Sequence, residues 1–264
     1  MIHSCFIAIN DYPGQASDLQ GCLNDAKDWQ AVFGPLAVSR RVLLDRQATK
    51  AKMVREIAAT VKALFAGDTA VITYSGHGSW VPDLDGDEPD GRDECLCPYD
   101  INKNFLLDDE LRELLANRKP DTNVLLITDS CHSGTVFRML GEPGPVRMRF
   151  LPPERFLKGK HKQKAQALSL NPRPKIASTD SPLPGVVHIS GCADTEYSYD
   201  AIFARRPNGA LTYFATRAYK SLKKGATYAD WMAKIQASLP SHQYPQSPRM
   251  NASPAMRSAV VVGK

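Results

Sequence analysis

The chain has 264 residues, of which 43% are hydrophobic and 23% are charged, and its formal net charge is +5. This composition is ordinary for a globular protein, and the length fits one large domain or two small ones. No stretch of about 18 apolar residues occurs, so neither a transmembrane helix nor a membrane partner is predicted. The N-terminus lacks a basic stretch followed by an apolar one, which predicts no secretion signal and a cytoplasmic location.

The positive charge is concentrated in one segment. Residues 138–175 carry ten Lys or Arg and two Glu, so the rest of the chain is net negative. Recognition of nucleic acid usually requires basic residues spread over one folded face, with aromatic residues between them. We therefore predict no nucleic-acid partner. The six cysteines, without an export signal, are predicted to be free thiols in a reducing compartment.

The first part of the chain alternates apolar runs with helical patterns. Short runs rich in β-branched residues predict buried strands, and apolar residues at helical spacing predict helices. The predicted elements are a strand at Cys5–Ile9, a helix at Leu19–Phe33 with a capping box at Ser17 and Gln20, a strand at Arg41–Leu44, a helix at Ala51–Phe65 and a strand at Thr69–Tyr74. This alternation predicts a parallel sheet with right-handed crossovers.

The second part continues the pattern after an acidic stretch between residues 83 and 94. The predicted elements are a helix at Asp108–Asn117, strands at Asn123–Thr128 and Val186–Ile189, helices at Gly209–Leu222 and Tyr228–Leu239, the last capped by Thr227 and Asp230, and a final strand at Ser258–Val262. Residues 141–184 contain eight prolines and little apolar periodicity, which predicts an exposed linker or mobile loop. Six strands with helices between them predict a doubly wound α/β sheet. The chain has neither a dinucleotide-binding glycine motif nor a P-loop.

Reactive residues follow two of the predicted strands. His77 lies between two glycines just after the third strand, and Cys131 lies among small residues just after the fourth. The carboxyl ends of parallel strands meet at one edge of a sheet, and a thiol needs a nearby base to become a strong nucleophile. We therefore predict that His77 and Cys131 form a pair. His132 is a rival base, although neighbouring strand residues face opposite ways.

The other cysteines are interpreted as structural. Cys5 and Cys192 lie in or beside buried strands, where a thiol is usually inert. Cys95 and Cys97 form a C-x-C pair without the second pair that a zinc site needs.

Several ordered motifs carry a more specific signal. They are Asn10–Tyr12, Leu19–Ala26, Tyr74–Gly78, Val81–Glu88, Asp93–Asp100 and Asp129–Gly134, with looser matches at Ser190–Cys192 and Gly209–Tyr213. Together they resemble the metacaspases, which are caspase-fold cysteine peptidases. The resemblance implies one caspase-like catalytic domain over residues 1–264, with about six mostly parallel strands and helices on both faces. It would comprise a large-subunit-like part (1–137), a basic Pro-rich linker (138–185) and a small-subunit-like part (186–264).

The same resemblance implies a cysteine endopeptidase that cuts after Arg or Lys. Cys131 would be the nucleophile and His77 the general base and acid, while the backbone amides of Gly78 and Cys131 would bind the oxyanion. No cofactor is needed for this chemistry.

The resemblance also implies an acidic pocket for the substrate's basic side chain, which physical chemistry requires for that specificity. Asp25 and Asp129 match the pocket carboxylates, with Cys22 and Ser75 beside them. The simpler interpretation is that Asp25 faces solvent and Asp129 caps a turn.

Calcium is a further implication of the resemblance, as an activator. Its ligands would be Asp93, Asp108 and Asp109, and hard carboxylate oxygens suit this ion. However, Arg138 occupies the position of another family ligand, seven residues after Cys131, where a cation would repel the metal. Calcium dependence is therefore left open.

The expected partners are protein or peptide substrates with Arg or Lys at the cut site. The linker itself offers such sites in an exposed setting, so self-cleavage is expected there, at Arg147, Arg149, Arg155, Lys158, Lys160, Lys162 or Lys164. The chain is expected to be a monomer, although animal caspases pair through the edge strand, here Ser258–Val262. Two alternatives remain: a catalytically silent caspase-fold regulator or scaffold, and a calcium-binding sensor.

Overall fold

The structure is a computed structural model that describes residues 1–14, 18–83, 86, 88, 90–132, 146–170, 181–193 and 196–264. Ser17 and Arg138 lie outside these ranges. The predicted capping box at Ser17 and the influence of Arg138 on a metal are therefore not described. Within the ranges, no helix combines the length and hydropathy that crossing a membrane requires.

The elements are numbered in chain order. The strands are β1 (Ile2–Ala8), β2 (Ala37–Leu44), β3 (Thr69–Ser75), β4 (Gly78–Pro82), β5 (Arg92–Leu96), β6 (Leu106–Leu107), β7 (Asn123–Asp129), β8 (Arg147–Met148), β9 (Val186–Ser190), β10 (Tyr199–Phe203), β11 (Arg206–Gly209) and β12 (Arg249–Ala252). The helices are α1 (Cys22–Phe33), α2 (Lys50–Lys62), α3 (Asp108–Ala116), α4 (Gly159–Leu170), α5 (Ala210–Lys220), α6 (Tyr228–Gln236) and α7 (Pro254–Ser258). The predicted cap of α6 is confirmed, because the Thr227 hydroxyl accepts a hydrogen bond from the Asp230 amide.

A six-stranded sheet forms the centre of the protein, in the order β12-β9-β7-β3-β1-β2. The five strands from β9 to β2 are parallel, and β12 pairs antiparallel with β9. Strands from residues 1–137 and from residues 186–264 share this sheet. The predicted mostly parallel α/β sheet is confirmed.

Helices cover both faces of the central sheet, because alternate strand residues point to opposite sides. Ala70, Ile72, Val124 and Leu126 belong to one core cluster, with Ile57 of α2 and Leu111 of α3. Val71, Leu125 and Ile127 belong to a second cluster, with Trp29 of α1, Leu211 of α5 and Trp231 of α6. The central strands are thus buried on both faces, which explains their unbroken apolar sequences.

Two small antiparallel sheets lie outside the central one, in the orders β4-β5-β6 and β11-β10-β8. Strand β4 begins directly after the His77 position, and β8 comes from the segment predicted to be a linker. These small sheets therefore extend the region beyond the carboxyl ends of β3 and β7.

The prediction of a final strand at Ser258–Val262 is wrong. Helix α7 ends at Ser258, and beyond it only an isolated bridge joins Val260 to Thr227. The apolar run is explained by Val261, which is buried in the helical core cluster. The edge strand of the sheet is β12 (Arg249–Ala252), whose alternating polar residues gave no strong apolar signal.

Residues 147–170 have regular structure and are not a loop, although most of helix α4 is exposed, as predicted for a linker. This stretch contains β8, a short 3₁₀ turn at Pro153–Arg155 and helix α4. Arg149 and Leu151 are fully buried, with 0% exposure each. The proline and basic residues of this stretch predicted exposure, but they flank the buried side chains of Arg149 and Leu151.

Candidate active site

The ends of β3 and β7 bring the predicted pair to one edge of the sheet. The two strands are neighbours in parallel register, with Ser75 opposite Asp129. His77 and Cys131 each lie two residues beyond this pair, and both are buried. Parallel pairing in register is the physical reason why residues 54 positions apart reach the same place.

The backbone after His77 passes very close to Cys131. A side chain on Gly78 would place its Cβ 2.3 Å from the Cys131 carbonyl oxygen. Only glycine permits this approach, which brings two backbone amides together. Both amides donate to a single acceptor, the Arg149 carbonyl oxygen, at 3.0 Å from the Gly78 nitrogen and 3.2 Å from the Cys131 nitrogen.

The backbone of His77 is held by two tyrosines. Its amide donates to the Tyr12 hydroxyl at 2.8 Å, and its carbonyl accepts from the Tyr74 hydroxyl at 2.6 Å and from the Cys97 amide at 3.0 Å. The rings of Tyr12 and His77 are 4.8 Å apart between centroids. We infer that both tyrosines position His77. Each lies inside one of the motifs that resemble the family, but no local sequence pattern indicates this contact.

The surroundings of Cys131 differ from expectation in one respect. Cys192, interpreted as inert core, lies within hydrogen-bonding reach of the Cys131 thiol, and this contact together with burial raises the pKa of Cys192 well above its usual value. The rival base His132 directs its Nδ1 toward the Cys95 carbonyl oxygen at 3.2 Å. That contact occupies one of the two nitrogens of the His132 ring.

Three buried aspartates form a pocket beside this site. Asp25 comes from α1, Asp129 from the end of β7 and Asp200 from β10. The guanidinium of Arg149 lies between them. Its Nη2 is 2.6 Å from Asp25 Oδ2 and 3.5 Å from Asp200 Oδ1, and its Nη1 is 3.3 Å from Asp129 Oδ1. All four side chains are at most 2% exposed.

The carboxylates of the pocket are fixed by further hydrogen bonds. Asp25 accepts from the Gly209 amide and the Asn208 side chain, both at 2.9 Å. Asp129 accepts from the Ser198 hydroxyl and from the Thr212 amide and hydroxyl, while Asp200 accepts from the amides of Gln20 and Gly21. Preorganised acceptors of this kind suit a planar guanidinium.

The electrostatics of the pocket follow from an excess of negative charge. Burial raises the pKa of Asp25 to about 7, Arg149 opposes this, and the nearby Asp129 charge adds to the rise. Burial alone would lower the pKa of Arg149, but the surrounding groups, led by Asp129, raise it well above its ordinary value. Arg149 therefore stays charged, and one cation faces three acids.

The interpretations of Asp25 as solvent-facing and Asp129 as a simple turn cap are wrong, because both side chains are buried around Arg149. Cys22 is buried at the start of α1, and burial raises its pKa well above the usual value, opposed by Arg149. Ser75 is buried at the end of β3. Sequence reasoning missed two pocket groups, Asp200 and Arg149. Asp200 follows the loosely matched Ser190–Cys192 motif, whereas Arg149 was assigned to an exposed linker.

The predicted calcium ligands lie on a separate acidic rim, defined here as Asp93, Glu94, Asp108 and Asp109. Asp93 and Glu94 lie on β5, and the other two open α3. The pKa of Asp108 is raised to about 7, by desolvation and by the charges of Glu94 and Asp109. Because Asp108 is exposed, we attribute the rise in its pKa mainly to the negative charges of Glu94 and Asp109. The described residues contain no group of three or more His, Cys, Asp or Glu arranged to hold a metal ion.

A mostly parallel sheet of this order, with His and Cys beyond neighbouring strands, defines a caspase-like α/β fold. Comparison with known proteins agrees. The family model of the caspase domain matches residues 3–259. The chain therefore belongs to the caspase-domain family of cysteine peptidases.

Individual relatives refine this assignment. Metacaspase-1 of Emericella nidulans is 30% identical over 288 residues, covering 94% of this chain and 69% of that protein. Metacaspase-1A of Aspergillus terreus is 40% identical over 141 residues, covering 49% and 35%. The solved structure of protein GSU0716 from Geobacter sulfurreducens is 30% identical, with a TM-score of 0.73 and 98% of both chains covered. Where nearly the whole chain is matched, it spans about two thirds of these curated metacaspases.

Proposed function

We propose that the chain is a cysteine endopeptidase that cuts peptide bonds after Arg, and less efficiently after Lys. The observation that supports this best is the placement of Arg149. Its side chain fills the three-aspartate pocket while its carbonyl oxygen accepts hydrogen bonds from Gly78 and Cys131. An arginine residue thus fits the pocket and the paired amides at the same time, as a substrate would have to.

In the proposed mechanism Cys131 and His77 act as the catalytic pair. The Cys131 thiolate attacks the carbonyl carbon, and the amides of Gly78 and Cys131 stabilise the oxyanion. Removing one such donor typically costs about 10²- to 10³-fold in rate. His77 protonates the leaving amine, which leaves a thioester on Cys131. A water molecule, deprotonated by His77, then releases the acid product.

The preference for Arg over Lys follows from the geometry of the pocket. A guanidinium presents two nitrogens in a rigid fork, and here Nη1 and Nη2 contact different aspartates. An ammonium group is a compact point charge and would approach these carboxylates from one position only. An acidic side chain would be repelled by all three, so Asp-ended substrates should be refused.

The direct test is hydrolysis of fluorogenic peptides ending in Arg, Lys or Asp. We expect turnover in the order Arg, Lys, then none for Asp, and loss of turnover in Cys131→Ala. Cys5→Ala serves as the matched control. It also removes a buried thiol, but Cys5 lies in the middle of β1 opposite Ile72, inside the central sheet and not at its carboxyl edge. Absence of any Cys131-dependent hydrolysis, with and without Ca²⁺, would reject the proposal in favour of a silent regulator.

Calcium enters the proposal as an activator and takes no part in the chemical step. Asp93, Asp108 and Asp109 supply the oxygen ligands that Ca²⁺ prefers, and a cation would relieve the repulsion that raises the pKa of Asp108. Their charge would be neutralised when the ion binds. Calorimetric titration with Ca²⁺ beside the peptidase assay tests this part separately.

We further propose that the protein is cytoplasmic and monomeric. All six cysteines are buried free thiols, which suits a reducing compartment and supports a cytoplasmic location. The edge strand β12 is four residues long and carries Arg249 and Asn251 on its exposed side, which supports a monomer. Sedimentation across a range of concentrations would measure the assembly state.

A further inference from the structure

The segment from Arg147 to Leu151 runs through the candidate active site in an extended conformation. Met148 pairs antiparallel with Tyr199 of β10, and the Arg149 amide donates to the Ser198 carbonyl at 2.9 Å. On the other side of Arg149, the Leu151 amide donates to the Gly78 carbonyl at 3.0 Å. Strand addition of this kind is a general way of binding an extended peptide.

Side chains fix the register of this segment. Arg149 fills the acidic pocket, and the fully buried Leu151 joins the core cluster beside β4. The Ser79 hydroxyl donates to the Leu151 carbonyl at 2.6 Å. The bond between Arg149 and Phe150 is consequently the bond whose carbonyl oxygen lies on the amides of Gly78 and Cys131.

Other basic residues of the linker do not share this placement. Lys160, Lys162 and Lys164 lie on helix α4, and Arg155 ends a 3₁₀ turn. A helical backbone already uses its amides internally, so it cannot add as a strand to β10. Arg147 is in the extended segment, but its side chain donates to the Asp18 carbonyl. It also precedes by two residues Arg149, whose carbonyl accepts from the paired amides.

We infer that Arg149–Phe150 is the first bond that this enzyme cuts, in its own chain, and that the uncut segment keeps the site closed to other substrates. The inference rests on the proposed function. It narrows the seven basic candidates of the linker to one bond and adds a means of regulation. A substrate must displace a tethered competitor. Its apparent affinity is therefore its intrinsic affinity multiplied by the fraction of molecules in which the pocket is free.

The cutting step balances with water as the co-reactant. The Cys131 thiolate forms a thioester with the Arg149 carbonyl carbon, the bond to the Phe150 nitrogen breaks, and His77 gives that nitrogen its proton. Water then hydrolyses the thioester, leaving a carboxylate on Arg149 and an amine on Phe150.

Mass spectrometry and N-terminal sequencing of the purified chain test the cut. We expect fragments 1–149 and 150–264 in the wild type and in Arg149→Lys, and an intact chain in Cys131→Ala. Phe150→Pro should also stay intact, since it removes the cleavable secondary amide but keeps Arg149 in the pocket. Lys158→Ala, which removes an exposed basic residue, is the matched control and should be cut as the wild type is.

A binding experiment tests closure of the pocket without any catalysis. In the Cys131→Ala background, a fluorescent peptide ending in Arg amide should bind at least about tenfold more tightly when Arg149→Ala is added. The pairing of Cys131→Ala with Lys158→Ala should bind no better than Cys131→Ala alone. Since Arg149→Ala risks misfolding, Arg149→Gln provides a second variant, with circular dichroism to check the fold.

The outcomes separate this inference from the proposed function. Cys131-dependent hydrolysis of Arg peptides with an intact Arg149–Phe150 bond would overturn the inference and leave the function standing. Equal peptide binding with and without Arg149 would also overturn it. Absence of all Cys131-dependent hydrolysis would remove the function, and the self-cleavage with it.

Discussion

Two acidic regions of this protein differ in how their negative charge is balanced. In the pocket, Asp25, Asp129 and Asp200 are buried and surround a guanidinium that the chain itself supplies. On the rim, Asp108 lies among other carboxylates, and among the described residues no Lys or Arg forms an ion pair with it. Both regions contain an aspartate whose pKa is raised to about 7. Raised pKa values therefore do not distinguish a pocket filled by protein from a candidate ion site.

The difference lies in what each region can exchange. The charge partner of the pocket is tethered, so its removal leaves buried acids without compensation. The rim is open to solvent, so its partner would come from solution. The pocket should therefore respond strongly to mutation and the rim weakly.

The largest effect is expected from Arg149→Ala in the Cys131→Ala background. Removing one partner of a buried ion pair typically costs about 3–5 kcal/mol of unfolding free energy. The loss should be greater at pH 8 than at pH 5. In the folded variant the pocket carboxyl groups have no cation beside them and have raised pKa values, so their protonation at pH 5 stabilises the folded form. Urea unfolding at both pH values measures this, with Lys158→Ala as the control. An unchanged urea midpoint at pH 8 would contradict the proposed role of Arg149 in balancing the pocket charge.

A second large effect is expected from Asp129→Asn on the hydrolysis of Arg-ended peptides. Loss of one pocket charge should lower kcat/KM by about 10²- to 10³-fold, since a buried charged contact is lost. A peptide ending in citrulline, which is uncharged but similar in shape to Arg, should lose much less. The exposed turn variant Asp121→Asn should behave as the wild type does. Equal losses for Arg and citrulline would point to a structural role instead.

A smaller effect is expected from pH. The pKa of Asp25 is raised to about 7, so its side chain is negatively charged above that pH and loses this charge as the pH falls through it. KM for Arg peptides should therefore rise below about pH 7, by up to tenfold per unit. Asp25→Asn should have a uniformly high KM without this transition. Following kcat separately distinguishes Asp25 from titration of the His77 ring, and a flat wild-type KM would contradict the assignment.

The smallest effect is expected at the rim. If Ca²⁺ binds there, a concentration tenfold above its Kd should stabilise the protein by about 1.4 kcal/mol. Asp108→Asn should abolish that shift in thermal unfolding. Binding should also weaken as pH falls through about 7, because the raised pKa of Asp108 lets a proton compete with the ion. An identical calcium response in Asp108→Asn would remove Asp108 from the ligand set.

The sequence predicted the central sheet well because burial on both faces produces a direct signal. Strands β3 and β7 are apolar over almost their full length, and each is followed by a reactive residue. Parallel order then required His77 and Cys131 to share an edge. The prediction failed at the far edge of the sheet, where β12 alternates polar with apolar residues, and Val261 packs against helices instead.

The pocket was only partly predictable. Asp25 and Asp129 were assigned through a family resemblance, whereas Asp200 and Arg149 were not. A basic residue among prolines and lysines indicates solvent exposure by composition. Arg149 is buried because three distant acids converge on it, and no local pattern records that convergence.

The sequence by itself determined which strands are buried, in what order they follow, and where a histidine and a cysteine emerge from them. Local hydrophobic patterning contains this information, since each strand must cover both of its faces. Only the tertiary structure decided that a residue of the linker occupies the acidic pocket, with its carbonyl on two backbone amides. That outcome depends on charges and hydrogen bonds between α1, β7, β10 and the linker, which are far apart in the chain and meet only after it folds.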